Sequence, residues 1–419
     1  MSKTNTLKTL INHNGDPDAI IDHWDPSSNR YAVWGFEEYF LIKNNGECIL
    51  NGEKIESSPI EALQNTINNW KTTRLDMAAV GYISYDFKKL LYKNISFKNT
   101  KNDYPLLWFG KPKYIEKFSI NQKSITPSQM NVILKQKMDI PNKLKYKYVI
   151  KKIKKFLLEG ESYQINYTQP KKYEIVSDPI STYLKMRDHI KPYYGIYLNL
   201  DFLQILSFSP ERFFNKKNNS ITSIPMKGTR PRSNNFIEDI NLSNQLYYSE
   251  KDRAEHLMIV DLIRNDLGKI CDFNTIKVNN LFNIKSFKTV HQMISSISGI
   301  LKYNINETSI IKALFPGGSI TGAPKERSME IIDEIENYSR GVYTGSLGYI
   351  KNNGDMDFNI AIRTMTIQKN IGTYPVGGGI VWDSNFFEEW KEAHQKSKII
   401  TPFVKLNNIN KINFETELY

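Results

Sequence analysis

The segment SIPMKGTRPRS, residues 223–233, sets Lys227 between a Pro-Met step and a Gly-Thr step, with Arg230 and Arg232 close behind. A lysine amine becomes an effective nucleophile near neutral pH when burial or neighbouring positive charge lowers its pKa. Both arginines are placed to push that way. Farther on, SEKDRAEHLMIVDLIRNDLG (249–268) opens with a capping-box pattern at Ser249 and Asp252 and closes on Gly268. Asp252 and Glu255 stand at i and i+3 and share a helix face, which continues through the apolar Met258, Ile259 and Leu262. Carboxylates on a buried face are costly unless a cation matches them; the alternative is a solvated pair near a helix start. DSNFFEEWKEAHQKSKII (383–400) repeats the spacing with Glu389 and Glu392, and Lys396 follows one turn beyond Glu392. Two such helices face to face would gather four carboxyl groups around one hard cation, an oxygen-rich setting that suits Mg2+.

Two glycine-rich runs offer anion sites. FPGGSITGAPKERSMEIIDEIE (315–336) passes from a Gly-Gly turn through Thr321, Gly322 and Pro324 into a helix with Met329, Ile332 and Ile335 inward. A helix start leaves main-chain N–H groups free for an anion. YPVGGGIVWDS (374–384) sets Gly377, Gly378 and Gly379 in a row, where a ligand can approach the backbone. Each run taken alone reads equally as a turn. Between them, FNIAIRTM (358–365) places Arg363 in an otherwise mostly apolar strand-like stretch, and its planar fork fits a carboxylate. Together these residues describe a cleft for a small polyanion with a bound cation.

The elements that must hold such a cleft are legible in outline. The chain has 419 residues, 40% of them apolar, enough for a large core. Its net charge of +12 admits nucleic acid, an anionic surface or a small acidic substrate as partner. The basic stretch 143–160 reads as an amphipathic helix, however, with Tyr146, Val149, Ile150, Ile153 and Leu157 inward and the lysines on the wet face. The two cysteines, Cys48 and Cys271, make no disulfide framework, and no apolar leader or membrane-length segment is visible, so a soluble, cytoplasmic protein is expected, without nucleic acid or membrane as partner. RYAVWGFEEYFLIKNNGECILNG reads as a hairpin turning at Asn-Asn-Gly, and MAAVGYISYDF as a further strand. The irregular mixture of helices and strands after residue 143 favours α+β over a doubly wound sheet. A polar seam near 120–143 suggests a strand-rich subdomain over 1–130, a catalytic subdomain over 131–402 and a tail over 403–419.

In order along 160–396, GESYQINYT, SFSPERFF, PMKGTRPR, AEHLMIVDLIRNDLG, FPGGSITGAPKERSMEIIDEIE, GSLGYI, NIAIRTM and GGGIVWDSNFFEEWKE resemble the motifs of the chorismate-utilising enzymes, most of all the branch that forms aminodeoxychorismate. The resemblance implies a two-layer sandwich of largely antiparallel sheets with outer helices and an active site between the layers. It implies that chorismate's carboxylates meet Arg363, Lys396, the backbone at Thr321 and Gly322, and Gly377–Gly379, with Gln164, Thr229 and Tyr349 also lining the substrate site. Mg2+ would be held by Glu255 and Glu392, with Asp252 and Glu389 acting through water. Glu211 matches the general acid for the departing C4 hydroxyl; pairing with Arg212 is its bland alternative. Lys227 stands where anthranilate synthases carry a small residue, and matches the lysine that adds to C2 before ammonia displaces it at C4.

Gln164 takes the place of the base lysine of water-adding relatives, which disfavours those activities. Many members carry histidine at the place of Gln292; here the histidine is His291, one residue earlier, so no proton-transfer role is assigned to it. Neither Cys48 nor Cys271 sits in the turn that activates an amidotransferase nucleophile. The resemblance therefore implies ammonia delivered by a separate class I glutamine amidotransferase subunit. Anthranilate synthase component I is the alternative activity.

Overall fold

The structure, a computed structural model, describes residues 6–24, 29–71, 75–98, 103–119, 134–138, 143–287 and 290–405. The seam expected near residue 130 and most of the expected tail lie outside the described residues.

One hydrogen-bonded strand order runs through the molecule. From Leu134–Met138 it passes through Gln164–Ile175, Ile371–Ile380, Thr364–Gln368, Leu203–Ser209, Tyr194–Leu200 and Ala19–Asp22 to the long strand Tyr31–Ile42. It continues through Leu107–Lys117, Met77–Ile83, Ser346–Lys351, Met356–Ile360, Arg212–Lys217 and Ser220–Ile224 to Val290–Ile300. That last strand carries Met226–Pro231 on one edge and Lys277–Ser286 on the other. All these pairings are antiparallel, as expected of an α+β fold; Val404–Lys405 adds a short parallel contact at the start of the order. Strands from the first 120 residues therefore lie inside a sheet completed by strands from much later in the chain. The order folds back on itself, because a hydrogen bond joins Lys227 near one end to Gln164 near the other.

Local sequence explains the pieces that frame this meeting point. Met77–Ile83 is buried at every position, so it reads as a continuous apolar run rather than an alternating one. Gly81 is required within it, because a methyl there would lie 2.0 Å from the Trp108 carbonyl oxygen. The hairpin at Asn-Asn-Gly forms as expected, joining Tyr31–Ile42 to Cys48–Leu50. Helix Lys143–Leu158 buries Tyr146, Val149, Ile150 and Ile153 against Ile165, Tyr167, Ile332 and Ile380, and leaves most of its lysines outside. Ser249 caps helix Glu250–Gly268 by accepting from the Asp252 amide, and Asn385 caps helix Phe386–Ser397 through the Phe387 amide. Among the described residues no helix is long and apolar enough to cross a membrane.

Candidate active site

Lys227 lies on strand Met226–Pro231, in register with Met293 of Val290–Ile300. A bulge follows at Gly228, whose φ of 68° is in the left-handed region. The Lys227 amine donates to Gln164 Oε1 at 3.1 Å, while the buried Gln164 Nε2 has no hydrogen-bond partner among the described residues. Burial pushes the amine's pKa below its ordinary value and the Lys396 charge pushes the same way; Glu255, Glu211 and Glu392 oppose them. The expected help from Arg230 and Arg232 is absent, since each is spent on a carboxylate. Arg230 pairs with Asp252 at 2.9 Å and Arg232 with Asp239 at 2.7 Å. A methyl on Gly379 would sit 3.0 Å from the Lys227 amine and 2.9 Å from Gln164 Cδ. The missing side chain at Gly379 is what leaves this pair its room.

Glu211 sits at the turn between Leu203–Ser209 and Arg212–Lys217 and is buried. Its Oε1 accepts from Ser319 Oγ at 2.8 Å. Burial raises its pKa to about 7, against the opposing effects of Ser319, Lys227 and Lys396. Near neutral pH a large fraction of it is an undissociated acid facing an amine of lowered basicity. Arg212 is no partner for it: that guanidinium grips Asp357 through two hydrogen bonds of 3.1 and 3.0 Å.

Helices Glu250–Gly268 and Phe386–Ser397 bring their acidic residues toward the same place. Glu255 has its pKa raised by burial and, in part, by the charges of Asp252 and Glu392. Glu392 is lowered, chiefly by Lys396, whose amine lies 2.7 Å from Glu392 Oε1 and also donates to the Gly377 carbonyl at 2.7 Å. Asp252 is engaged by Arg230, and the buried Glu389 accepts from Ser384 Oγ at 2.6 Å. Among the described residues no three His, Cys, Asp or Glu side chains stand close enough to hold a metal. The two carboxylates that repel each other, Glu255 and Glu392, nonetheless have the charge and donor type that a hard divalent cation requires.

Arg363 corrects the expectation of a strand position. Strand Met356–Ile360 ends before it, a different strand with other partners begins at Thr364, and Arg363 itself has φ 50°, with the Phe208 amide bonding to its carbonyl at 3.0 Å. Burial lowers the pKa of its guanidinium, with Tyr374 opposing, and among the described residues no carboxylate pairs with it. A guanidinium so placed is a receptor for an anion. Among the described residues, strand Ile371–Ile380 is paired on one edge throughout but on the other only as far as Thr373, so Gly377–Gly379 border an open edge. They play separate parts: a methyl on Gly377 would lie 2.1 Å from the Tyr167 carbonyl, whereas one on Gly378 would face Lys396 and Glu392 at 3.4 and 3.5 Å. Gly322 pairs with Ile165, and a methyl there would meet the Gln164 carbonyl at 1.9 Å.

Thr321, Thr229 and Tyr349, also expected at the substrate, have local surroundings of their own. The expectation at Thr321 concerns its backbone; its hydroxyl is turned inward, donating to the Gly317 and Gly318 carbonyls at 3.0 and 3.3 Å, and its N–H donates to the Gly318 carbonyl at 3.3 Å. Thr229 is carried by the bulge into register with Gln292 while Lys227 is in register with Met293, and neighbouring strand positions face opposite sides. Tyr349 shares the Leu347 face of its strand, packs edge-on against Tyr31 at 5.7 Å, and lines a separate pocket with His23, Lys216 and Asp357. His291 is bound to Ser286 and Asp239, both at 2.9 Å. Two residues went unread. Ser319 touches Glu211, and only its place in the Gly-Gly turn hinted at it. His256 lies beside Glu255 in sequence; it bonds to Ser295 at 2.7 Å, and burial together with the Lys227 charge lowers its pKa to about 4.

Comparison with known proteins bears on the family and the fold. Residues 19–402 match the family model described as chorismate binding enzyme. The chain is 41% identical over 265 residues to the chloroplastic aminodeoxychorismate synthase of Arabidopsis thaliana, covering 62% of this chain and 29% of that one. It is 40% identical over 246 residues to aminodeoxychorismate synthase component 1 of Escherichia coli, covering 59% and 54%. The matches thus span about half or less of the length of these synthases. Anthranilate synthase component 1 of Saccharolobus solfataricus is 32% identical over 386 residues, 88% of this chain and 89% of that one. In fold, the anthranilate synthase component I of Streptococcus pneumoniae superposes with a TM-score of 0.77 at 23% identity, over 95% of this chain and 97% of that one. The menaquinone-specific isochorismate synthase of Escherichia coli gives 0.72 at 16%, over 93% and 89%. The family model spans residues 19–402, nearly the whole chain, including Glu211, Lys227 and Arg363, and the chain belongs to the chorismate-binding enzymes.

Proposed function

We propose that this protein aminates chorismate at C4, giving 4-amino-4-deoxychorismate for p-aminobenzoate and folate synthesis, through a lysine-linked intermediate. The observation that carries the reading is the pairing of Lys227, an amine of lowered basicity, with Glu211, a carboxyl group that titrates near neutrality. The Lys227 amine attacks C2, the ring double bonds shift, and the C4–O bond breaks as Glu211 protonates the leaving hydroxyl. Gln164 holds the amine through one N–H, which leaves the lone pair free to attack. Ammonia then attacks C4, the double bonds shift back, and the C2–N bond to Lys227 breaks. The two displacements together retain configuration. Arg363 and the open glycine edge would take a substrate carboxylate, and Lys396 the charge beside it.

Glu255 and Glu392 would hold Mg2+, with Asp252 and Glu389 reaching it through water. The cation would neutralise a chorismate carboxylate and so offset the acidic wall of the site. Asp252 would have to share itself with Arg230 to do this. A separate glutamine amidotransferase subunit would supply the ammonia, as the component 1 designation of the Escherichia coli relative suggests.

The long match to an anthranilate synthase component 1 favours a second reading, amination at C2 with loss of pyruvate. Lys227 argues against it, because an amine occupying C2 excludes ammonia from that carbon. Incubating the purified chain with chorismate, Mg2+ and ammonium separates the two. A 4-amino product that keeps the enolpyruvyl group supports the first; fluorescent anthranilate with stoichiometric pyruvate overturns it.

A further inference from the structure

The turn that precedes helix Lys325–Ile335 carries one hydroxyl that its own architecture does not consume. Gly317 and Gly318 are packed tightly: a methyl on the first would lie 2.8 Å from Ile360 Cδ1, and on the second 2.5 Å from Leu262 Cδ2. Thr321 Oγ1 ties down the carbonyls of both glycines, and Arg340 Nη1 takes the Ile320 carbonyl at 2.9 Å. Ser319, within this fixed frame, instead donates to Glu211 Oε1 at 2.8 Å. Glu211 is fixed in turn, its amide bonded to Ser209 Oγ at 3.1 Å and its carbonyl to the Ile360 amide at 3.1 Å.

Among the described residues, Ser319 is the side chain that hydrogen-bonds to this carboxyl group. Lys227 and Lys396 act on it through space, and the Met226 main-chain N–H also donates to it. Arg212 beside it is committed to Asp357. Asp266, which lines the neighbouring cavity with Glu211 and Ser319, is paired with Lys325 and Lys269.

We propose that Ser319 is a positioning residue for the acid: by donating to Oε1 it makes Oε2 the oxygen that carries the proton to the departing C4 hydroxyl. The proposal rests on Glu211 being that acid. As C4–O breaks, the proton passes from Oε2 to the leaving oxygen, water departs, and the Ser319 hydrogen bond strengthens toward the carboxylate left behind. Ser319 therefore sets both the direction of the proton and the strength of the acid. A donor to the charged form lowers a carboxyl pKa, so its removal raises that pKa.

The test uses the full chain with chorismate, Mg2+ and a constant concentration of free ammonia across pH. Ser319→Ala should lower kcat about tenfold, leave KM for chorismate within about twofold, and move the alkaline limb of kcat up by about one pH unit. Ser319→Thr should restore rate and limb, whereas Ser319→Val, of nearly the same shape, should behave like alanine; this pair keeps the test decisive if alanine loosens the turn. An unmoved limb with an unchanged kcat overturns the proposal, and so does a rise in KM alone. Glu211→Gln separates the two levels. If it keeps the wild-type rate, the acid assignment fails and the proposal with it; if it is inactive while Ser319→Ala is normal, the Ser319 proposal alone fails.

Discussion

A lysine amine attacks only when uncharged, and a carboxyl group donates only when protonated. Burial shifts Lys227 and Glu211 from their ordinary values in the directions those roles need. Lys227→Ala should reduce amination to background while the circular dichroism spectrum is unchanged. Rapidly quenched wild-type enzyme should show a chorismate-derived mass on the protein that the variant lacks; an equal rate in both would end the covalent route. Glu211 loses its proton as pH rises through about 7, so at constant free ammonia kcat should fall on the alkaline side. Lys227 must be uncharged to attack, and burial lowers its pKa in the direction that favours this. Glu211→Gln, which cannot donate a proton, should cost roughly a hundred- to ten-thousandfold in kcat. Lys227 could be singled out from the sequence because its local context is unusual. The cause of its shift could not: Arg230 and Arg232 are adjacent in sequence, yet in space they serve Asp252 and Asp239, and burial does the larger part.

Spacing along an element reveals which residues share a face, and here it identified the acidic faces of two helices. It does not reveal what faces them, so Ser384 and Arg230 as partners of Glu389 and Asp252 were invisible. Nor does it reveal a bulge. Gly228 and the break at Arg363 each redirect a side chain through a positive φ that no periodicity records. The magnesium reading belongs to this scale, because it needs both helices. Glu255→Gln should shift the Mg2+ activation curve to at least about tenfold higher concentration, with chorismate binding weakened in parallel. An unaltered curve would remove the two-helix site. The run Gly377–Gly379 looks uniform in sequence, but its three positions answer to different neighbours. Gly379→Ala should leave the fold intact and depress kcat severely, since the added methyl pushes on Lys227 and Gln164, two side chains that can shift. Gly377→Ala should instead unfold or destabilise the chain, because its methyl strikes the backbone at Tyr167. Thermal melts beside steady-state rates distinguish these outcomes, and reversed phenotypes would refute the assignment of the two faces.

At the scale of the whole molecule, the cleft exists because distant parts of the chain share one sheet. Ala19–Asp22 pairs with Tyr194–Leu200, and Met77–Ile83 with Ser346–Lys351, contacts that a local reading of strands cannot anticipate. The fold class was legible from mixed local patterns and from motif resemblance, but the strand order was not. Arg340 joins these distant parts below the site. It forms a buried pair with Glu336 at 2.7 Å, holds the Ile320 carbonyl of the Ser319 turn, and bonds to the Asn166 carbonyl at 2.5 Å. Its guanidinium also lies 4.6 Å from the ring centre of Tyr85, an N-terminal residue. Removing one member of such a pair strands the other charge in the interior. Arg340→Ala should therefore cost about 3–5 kcal/mol in urea unfolding. Because the N-terminal strands lie inside the common sheet, tryptophan fluorescence and far-ultraviolet circular dichroism should report the same midpoint, before and after the change. Pairing Arg340→Met with Glu336→Leu should recover part of the loss, since no lone charge then remains buried. Two separated transitions, with Arg340→Ala moving only the second, would instead mean that the two halves of the chain fold independently and that the cleft is a contact between them.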